Sequence, residues 1–187
     1  MNTIQRFSFA FAMMGLIAFI SVNVFAQSPN AEVKFVERNL GGPRLGFTYF
    51  PSGSQAAKGL DKYNMGQLIS QFGWHLEKLI VPDEGGPSFV VQFTPMVAGV
   101  EYGKIMPNAT LAFGIRMPDG FEFGMGPNIY LGEQLGTNTA LTMAVGKSFN
   151  YGGVSIPLDL AYTFNPSGSR VSFVFGYAID KTSSKEN

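Results

Sequence analysis
Through most of the chain, apolar residues alternate with polar or small ones at a period of two. Such alternation marks β-strands with two unlike faces. The clearest segment is 67–80. Leu68, Ser70, Phe72, Trp74, Leu76 and Ile80 share one face, and Gln67, Gln71, Gly73, His75 and Glu77 share the other, with Ile69 and Lys78 against the pattern. The pattern recurs over 109–117, 121–131, 139–149, 154–163 and 170–179, and less cleanly over 44–50 and 88–102. Eight strands are predicted, most about 9–13 residues long. The helical period is nearly absent.

The turns set the register. Pro118-Asp119-Gly120 is a turn signature. A three-residue loop there places Met117 opposite Phe121 and Arg116 opposite Glu122, with Gly120 in the left-handed position. A two-residue loop would set Arg116 beside Phe123 and break both faces. Asn150–Gly153 is expected to close a second hairpin that pairs Phe149 with Val154, and Asn165–Gly168 a third. The longest connection, Pro51–Met65, is rich in Gly, Ser and Lys. Strands joined in sequence by hairpins predict an all-β, up-and-down antiparallel sheet, and closure into an eight-stranded barrel removes its edges.

The faces decide which kind of barrel. One is nearly continuous Leu, Val, Ile, Phe and Met. The other is mostly Gly, Ala, Ser and Thr, with isolated Glu77, Arg116, Glu122, Asp159 and Arg170. The apolar face is far too large a patch for a soluble monomer to expose. The small-residue face is a poor water-facing surface and fits a narrow interior. The expectation is a transmembrane barrel of the outer-membrane type, against a soluble lipocalin-like barrel around an apolar ligand or a β-sandwich. With both termini in the periplasm, the periplasmic connections 81–87, 118–120 and 150–153 are short and one outer loop is long, the usual asymmetry of bacterial barrels. Tyr49, Phe50, Tyr102, Phe121, Tyr130, Phe149, Tyr151, Tyr162 and Phe164 lie near strand ends, where aromatic girdles form.

Composition sharpens this. Only 14 % of the 187 residues are charged, 13 Lys+Arg against 13 Asp+Glu, where soluble domains carry roughly 25 %. Zero net charge leaves no footprint for nucleic acid. There is no Cys, hence no disulfide framework or thiolate metal site, and one His, which excludes a His-pair metal motif. No cofactor or metal is implied. Residues 1–26 have the form of a secretory signal: Arg6, an apolar stretch from Phe7 to about Ile20, and a small-residue exit at Ala26. The alternative is a membrane anchor, but Ser21 and Asn23 interrupt the end of the apolar run. Removal of the signal leaves 12 Lys+Arg against 13 Asp+Glu, a net charge of −1. The remainder divides into a periplasmic segment 27–43, the barrel 44–180 and a polar tail 181–187.

The stretches Ile69-Ser70-Gln71-Phe72-Gly73-Trp74, Phe121-Glu122-Phe123-Gly124-Met125-Gly126-Pro127-Asn128, Val154-Ser155-Ile156-Pro157-Leu158-Asp159-Leu160 and Ser167-Gly168-Ser169-Arg170-Val171-Ser172 resemble a family of small exported proteins of Gram-negative bacteria described as outer-membrane β-barrels of uncharacterised function. The resemblance runs from about Met65 to Tyr177. It implies the fold and an outer-membrane location, and brings no activity or binding residues.

Few residues could carry chemistry. His75 is the one candidate general base, with Glu77 on the same face, but catalysis needs a nucleophile within hydrogen-bond reach and the pattern names none. His75, Glu77, Arg116, Glu122, Asp159 and Arg170 are expected to form an interior polar network, because unpaired charges in a narrow lumen are costly. An eight-stranded barrel leaves no aqueous channel. The function expected is therefore a structural or surface-interaction barrel in the outer-membrane bilayer, not an enzyme, with loop 51–65 as a contact site for a surface ligand. The alternatives are an outer-membrane lipid-modifying enzyme and a soluble carrier of an apolar ligand.

Overall fold
A computed structural model describes residues 34–131, 138–151 and 154–180. The expected signal peptide 1–26, residues 27–33, the connection 132–137, residues 152–153 and the tail 181–187 lie outside the described residues.

Eight antiparallel strands close into a barrel, each hydrogen-bonded to its sequence neighbours and the last to the first. They are β1 (Phe35–Tyr49), β2 (Leu68–Pro82), β3 (Ser88–Ala98), β4 (Met106–Arg116), β5 (Phe121–Tyr130), β6 (Asn138–Tyr151), β7 (Val154–Phe164) and β8 (Arg170–Gly176, resuming over Ala178–Asp180). The break at Tyr177 has a local cause. The β1 register carries through the break and sets Pro43 opposite Tyr177, and the β7 register sets Pro157 opposite Gly176. Neither proline can donate a ladder hydrogen bond.

The register fixes the barrel's dimensions. From Asn39 it passes to Lys78, Val91, Phe113, Met125, Met143, Tyr162 and Val171, and returns to β1 at Tyr49. The stagger on closure is 49 − 39 = 10 residues. With ordinary strand spacings this gives a tilt of about 40° and a backbone radius of about 8 Å. An 11-residue strand such as β7 then rises about 28 Å, enough to cross the apolar band of about 25 Å in an outer membrane.

Alternation sorts the faces as expected. Leu45, Phe47, Phe72, Trp74, Leu76, Phe93, Phe113, Phe123, Met125, Leu160 and Phe173 all point outward and are exposed. Thr48, Gln71, His75, Glu77, Asn128, Thr142, Thr163 and Ser172 point inward and are buried. An apolar exterior around a polar interior is the inverse of a lipocalin, and the closed ring is not a sandwich; both alternatives are overturned. The turn after β4 is the one read from parity. Arg116 pairs with Glu122, Met117 N–H donates to the Phe121 carbonyl (2.7 Å), and Gly120 has φ +87°.

Four expectations are corrected. First, β1 begins at Phe35, not at residue 44, so part of the supposed periplasmic segment is wall. Arg38, Gly41, Gly42 and Pro43 interrupt the apolar alternation there, yet Phe35–Pro43 pairs throughout with Trp74–Pro82 of β2. Second, the β6–β7 hairpin is tighter than expected. Tyr151 pairs with Val154, and Phe149 with Ile156 rather than Val154. The shift is two residues, so no side chain changes face. Third, loop 51–65 contains a helix, α1 (Gln55–Lys62), capped by Ser54 Oγ, which accepts from Ala57 N–H at 3.0 Å. Fourth, Phe50 and Tyr130 belong to no lipid girdle; both are buried under α1. Tyr49, Phe121, Phe149, Tyr151, Tyr162 and Phe164 are exposed near the strand ends.

Candidate functional site
The lumen holds a polar cluster in the half nearer the short turns. Glu77 of β2 is its centre. Arg116 of β4 donates to both its oxygens, Nη1 to Oε1 at 2.6 Å and Nη2 to Oε2 at 2.7 Å. Gln92, directly opposite Glu77 in register, adds Nε2 to Oε2 at 3.2 Å. His75 Nε2 donates to the same oxygen at 2.9 Å, and its Nδ1 faces Thr94 Oγ1 at 3.1 Å. Arg116 Nε donates to Glu122 Oε2 at 2.6 Å. Arg116 thus bridges two carboxylates, each buried. The strands explain the convergence. Residues two apart on one strand share a face, and the three-residue turn holds Arg116 and Glu122 side by side.

Of the residues singled out in the sequence, His75, Glu77, Arg116 and Glu122 come together. Asp159 adjoins Glu122 across a small cavity that Gln92 and Gly146 also line. Arg170 sits apart, nearer the outer end. It donates Nη2 to Asn128 Oδ1 (2.5 Å) and stacks over the Tyr130 ring at 5.0 Å. It has no carboxylate within 4 Å among the described residues, contrary to the expected charge pairing. Sequence reasoning missed Gln92, Thr94 and Arg44. The first two are neutral and indistinguishable from any inward polar residue. Arg44 sits at the assumed start of a strand, where its facing could not be assigned.

The two residues against the alternation have separate causes. Lys78 points outward near the rim at the short-turn end and pairs with Glu37 at 2.8 Å. Ile69 points inward but lies at the outer end, inside an apolar cluster with Phe50, Leu60, Met65, Ala98, Met106 and Tyr130. This cluster seats α1 over the barrel mouth. The helix is tied to the β7–β8 loop, where Ala56 N–H donates to the Ser167 carbonyl at 2.9 Å, and the β3–β4 connection is tied to β2, where Glu101 accepts from Ser70 N–H and Oγ, both at 2.6 Å. Gly168 lets the β7–β8 loop pass close by; a Cβ there would press on Ala56 and Ser54. Outward from the cap, Lys58, Asp61 and Lys62 are exposed.

Thr94, His75 and Glu77 stand in the order hydroxyl, imidazole, carboxylate, which is the order of an activated nucleophile. His75 is 3 % exposed, Glu77 is engaged by Arg116, and the adjoining cavity holds only about 90 Å³. Among the described residues, no group of three or more His, Cys, Asp or Glu could hold a metal ion.

A closed antiparallel barrel with a plugged polar lumen and an apolar exterior is a transmembrane β-barrel of the outer-membrane type. No family model and no curated protein matches the chain. Among solved structures it is similar to Ail, the attachment invasion locus protein of Yersinia pestis, at 11 % identity and TM-score 0.48, over 77 % of this chain and 97 % of that one. A second structure of that protein, in complex with the heparin analogue sucrose octasulfate, aligns at 11 % identity and TM-score 0.45, with the same coverage. Neisserial surface protein A aligns at 10 % identity and TM-score 0.44, over 78 % of this chain and 98 % of that one.

Proposed function
We propose that this chain is a non-enzymatic, non-conducting barrel of the outer membrane that holds a rigid contact surface, the α1 cap, on the outer face of the bilayer. The observation carrying this reading is the cap itself. The apolar seat, in which Leu60 is fully buried, holds the loop in one conformation, as a preorganised contact surface requires. Below the cap, the Glu77–Arg116–Glu122 cluster obstructs passage. The short turns lie at the opposite end, where the chain termini of β1 and β8 also meet, which sets the cap outward in the bacterial arrangement.

The chain has no Cys, so Lys58→Cys offers a single site for a membrane-impermeant maleimide on intact cells. Labelling without permeabilisation is expected; labelling only after lysis would overturn the orientation. Replacement of Lys58, Asp61 and Lys62 together by Ala should abolish surface attachment by expressing cells while the barrel still folds. The Thr94–His75–Glu77 alignment favours a second reading, a lipid-modifying enzyme. That reading requires His75→Ala to remove an envelope phenotype that the cap variant retains.

A further inference from the structure
The outward face of the barrel is not uniform in the half nearer the cap. Around most of it large side chains stand out: Phe47 and Tyr49 on β1, Leu141 on β6, Tyr162 and Phe164 on β7 and Phe173 on β8 are all exposed. On β3 and β4 the outward positions at this end include Pro95, Pro107 and Ala109 instead. They are neighbours in register, with Pro95 opposite Ala109 and Pro107 opposite Val97. The small residues leave an apolar groove of about 440 Å³, walled by Phe72, Val97 and Ile129.

Cations stand at the cap end of this groove. The loop joining β3 to β4 carries Lys104, three residues before Pro107 and therefore at most about 11 Å from it. Lys104 Nζ lies 5.6 Å from the centroid of the Tyr63 ring, and Lys62 Nζ lies 6.0 Å from the same centroid. Neither lysine has a carboxylate within 4 Å among the described residues. Glu101, on the same loop as Lys104, is turned to Ser70. An apolar slot on a lipid-facing wall, with ammonium groups at its headgroup end, complements an acyl chain that ends in a phosphate. We propose that the groove holds one acyl chain of a phosphorylated lipid, whose phosphate is met by Lys104 and Lys62. The leaflet that supplies this lipid follows from the outward orientation of the cap proposed above.

Dipalmitoyl phosphatidic acid and dipalmitoylglycerol, which share their chains and differ in the phosphate, are the probes. Native mass spectrometry of the folded barrel in detergent should show one phosphatidic acid retained per chain and weaker retention of dipalmitoylglycerol. Lys104→Gln should weaken retention of phosphatidic acid about fivefold, the worth of one lysine against an anionic lipid surface, and leave dipalmitoylglycerol unchanged. Ala109→Phe fills the groove and should abolish retention of both lipids while the folded gel mobility is kept. Val97→Trp makes the same test from β3 should that variant not fold. Equal retention of the two lipids, or retention that survives both groove variants, would overturn the proposal. So would a lipid-free dimer that Ala109→Phe dissociates, which would mark the groove as a contact between copies of this chain. Maleimide labelling of Lys58→Cys reads the orientation separately. Selective retention of phosphatidic acid together with labelling only after lysis would overturn the orientation and still support the groove.

Discussion
Arg116 reaches across the lumen from β4 to grip both oxygens of Glu77 on β2, at 2.6 and 2.7 Å, while its Nε holds Glu122 on β5. Removing one member of such a buried set costs more than the set contributes, because it strands the others. Arg116→Met should lower stability by about 3–5 kcal/mol. Adding Glu77→Gln should recover part of that loss. Urea unfolding in lipid vesicles, followed by the gel shift between folded and unfolded forms, measures both. Equal midpoints for wild type and Arg116→Met would show that the cluster does not stabilise the barrel.

The outward face tolerates charge according to depth. Leu160 lies mid-strand on β7, in register with Val145 and Phe173, and all three point outward. Leu160→Arg should cost about 2–4 kcal/mol, the range for a cation at the bilayer midplane. Lys78, exposed at the rim, is the control, and Lys78→Leu should change stability by less than about 1 kcal/mol. The same vesicle unfolding assay applies. A similar cost at the two sites would argue against lipid around the barrel.

The cap and the barrel should come apart energetically. Leu60→Ala empties the centre of the cluster that seats α1, a change worth about 2–5 kcal/mol in a packed core. The loss should fall on the cap. Proteases should cut within 51–65 many times faster, with the barrel's folded gel mobility unchanged. Unfolding of the whole barrel in step with loop cleavage would mean that cap and wall form one cooperative unit.

At the β4–β5 turn, Gly120 has φ +87°, and a Cβ there would also meet the Ser148 carbonyl. Gly120→Val should therefore slow folding into vesicles and destabilise the hairpin by about 1–3 kcal/mol. Gly85, also left-handed but with open space around it, should lose less on the same substitution. Folding kinetics followed by gel mobility distinguish the two.

Much of the barrel was legible in the sequence because a strand between lipid and a polar lumen has two chemically opposite faces. Parity alone paired Arg116 with Glu122 and assigned Trp74 and His75 to opposite sides. Where the contrast of faces fails, so does the reading. Residues 35–43 are wall without apolar alternation, since Glu37 and Arg38 sit near the rim, where Glu37 pairs with Lys78 and Arg38 with Asp180. The helix α1 is short and contains Gly59, and its stability comes from the barrel mouth below it, a tertiary contact that periodicity cannot show. Ile69 went against the strand pattern for the same reason. Arg170 was grouped with the acidic cluster by charge, but it lies toward the outer mouth with Asn128 and Tyr130.

Trp74 is the single tryptophan of the chain, points outward from β2 and is 46 % exposed. It reports directly on what surrounds the barrel. In vesicles of lipids brominated along the acyl chain, its fluorescence should be blue-shifted and strongly quenched, with aqueous acrylamide having little effect. Emission indifferent to brominated chains but quenched by acrylamide would place this face in water and contradict the transmembrane barrel.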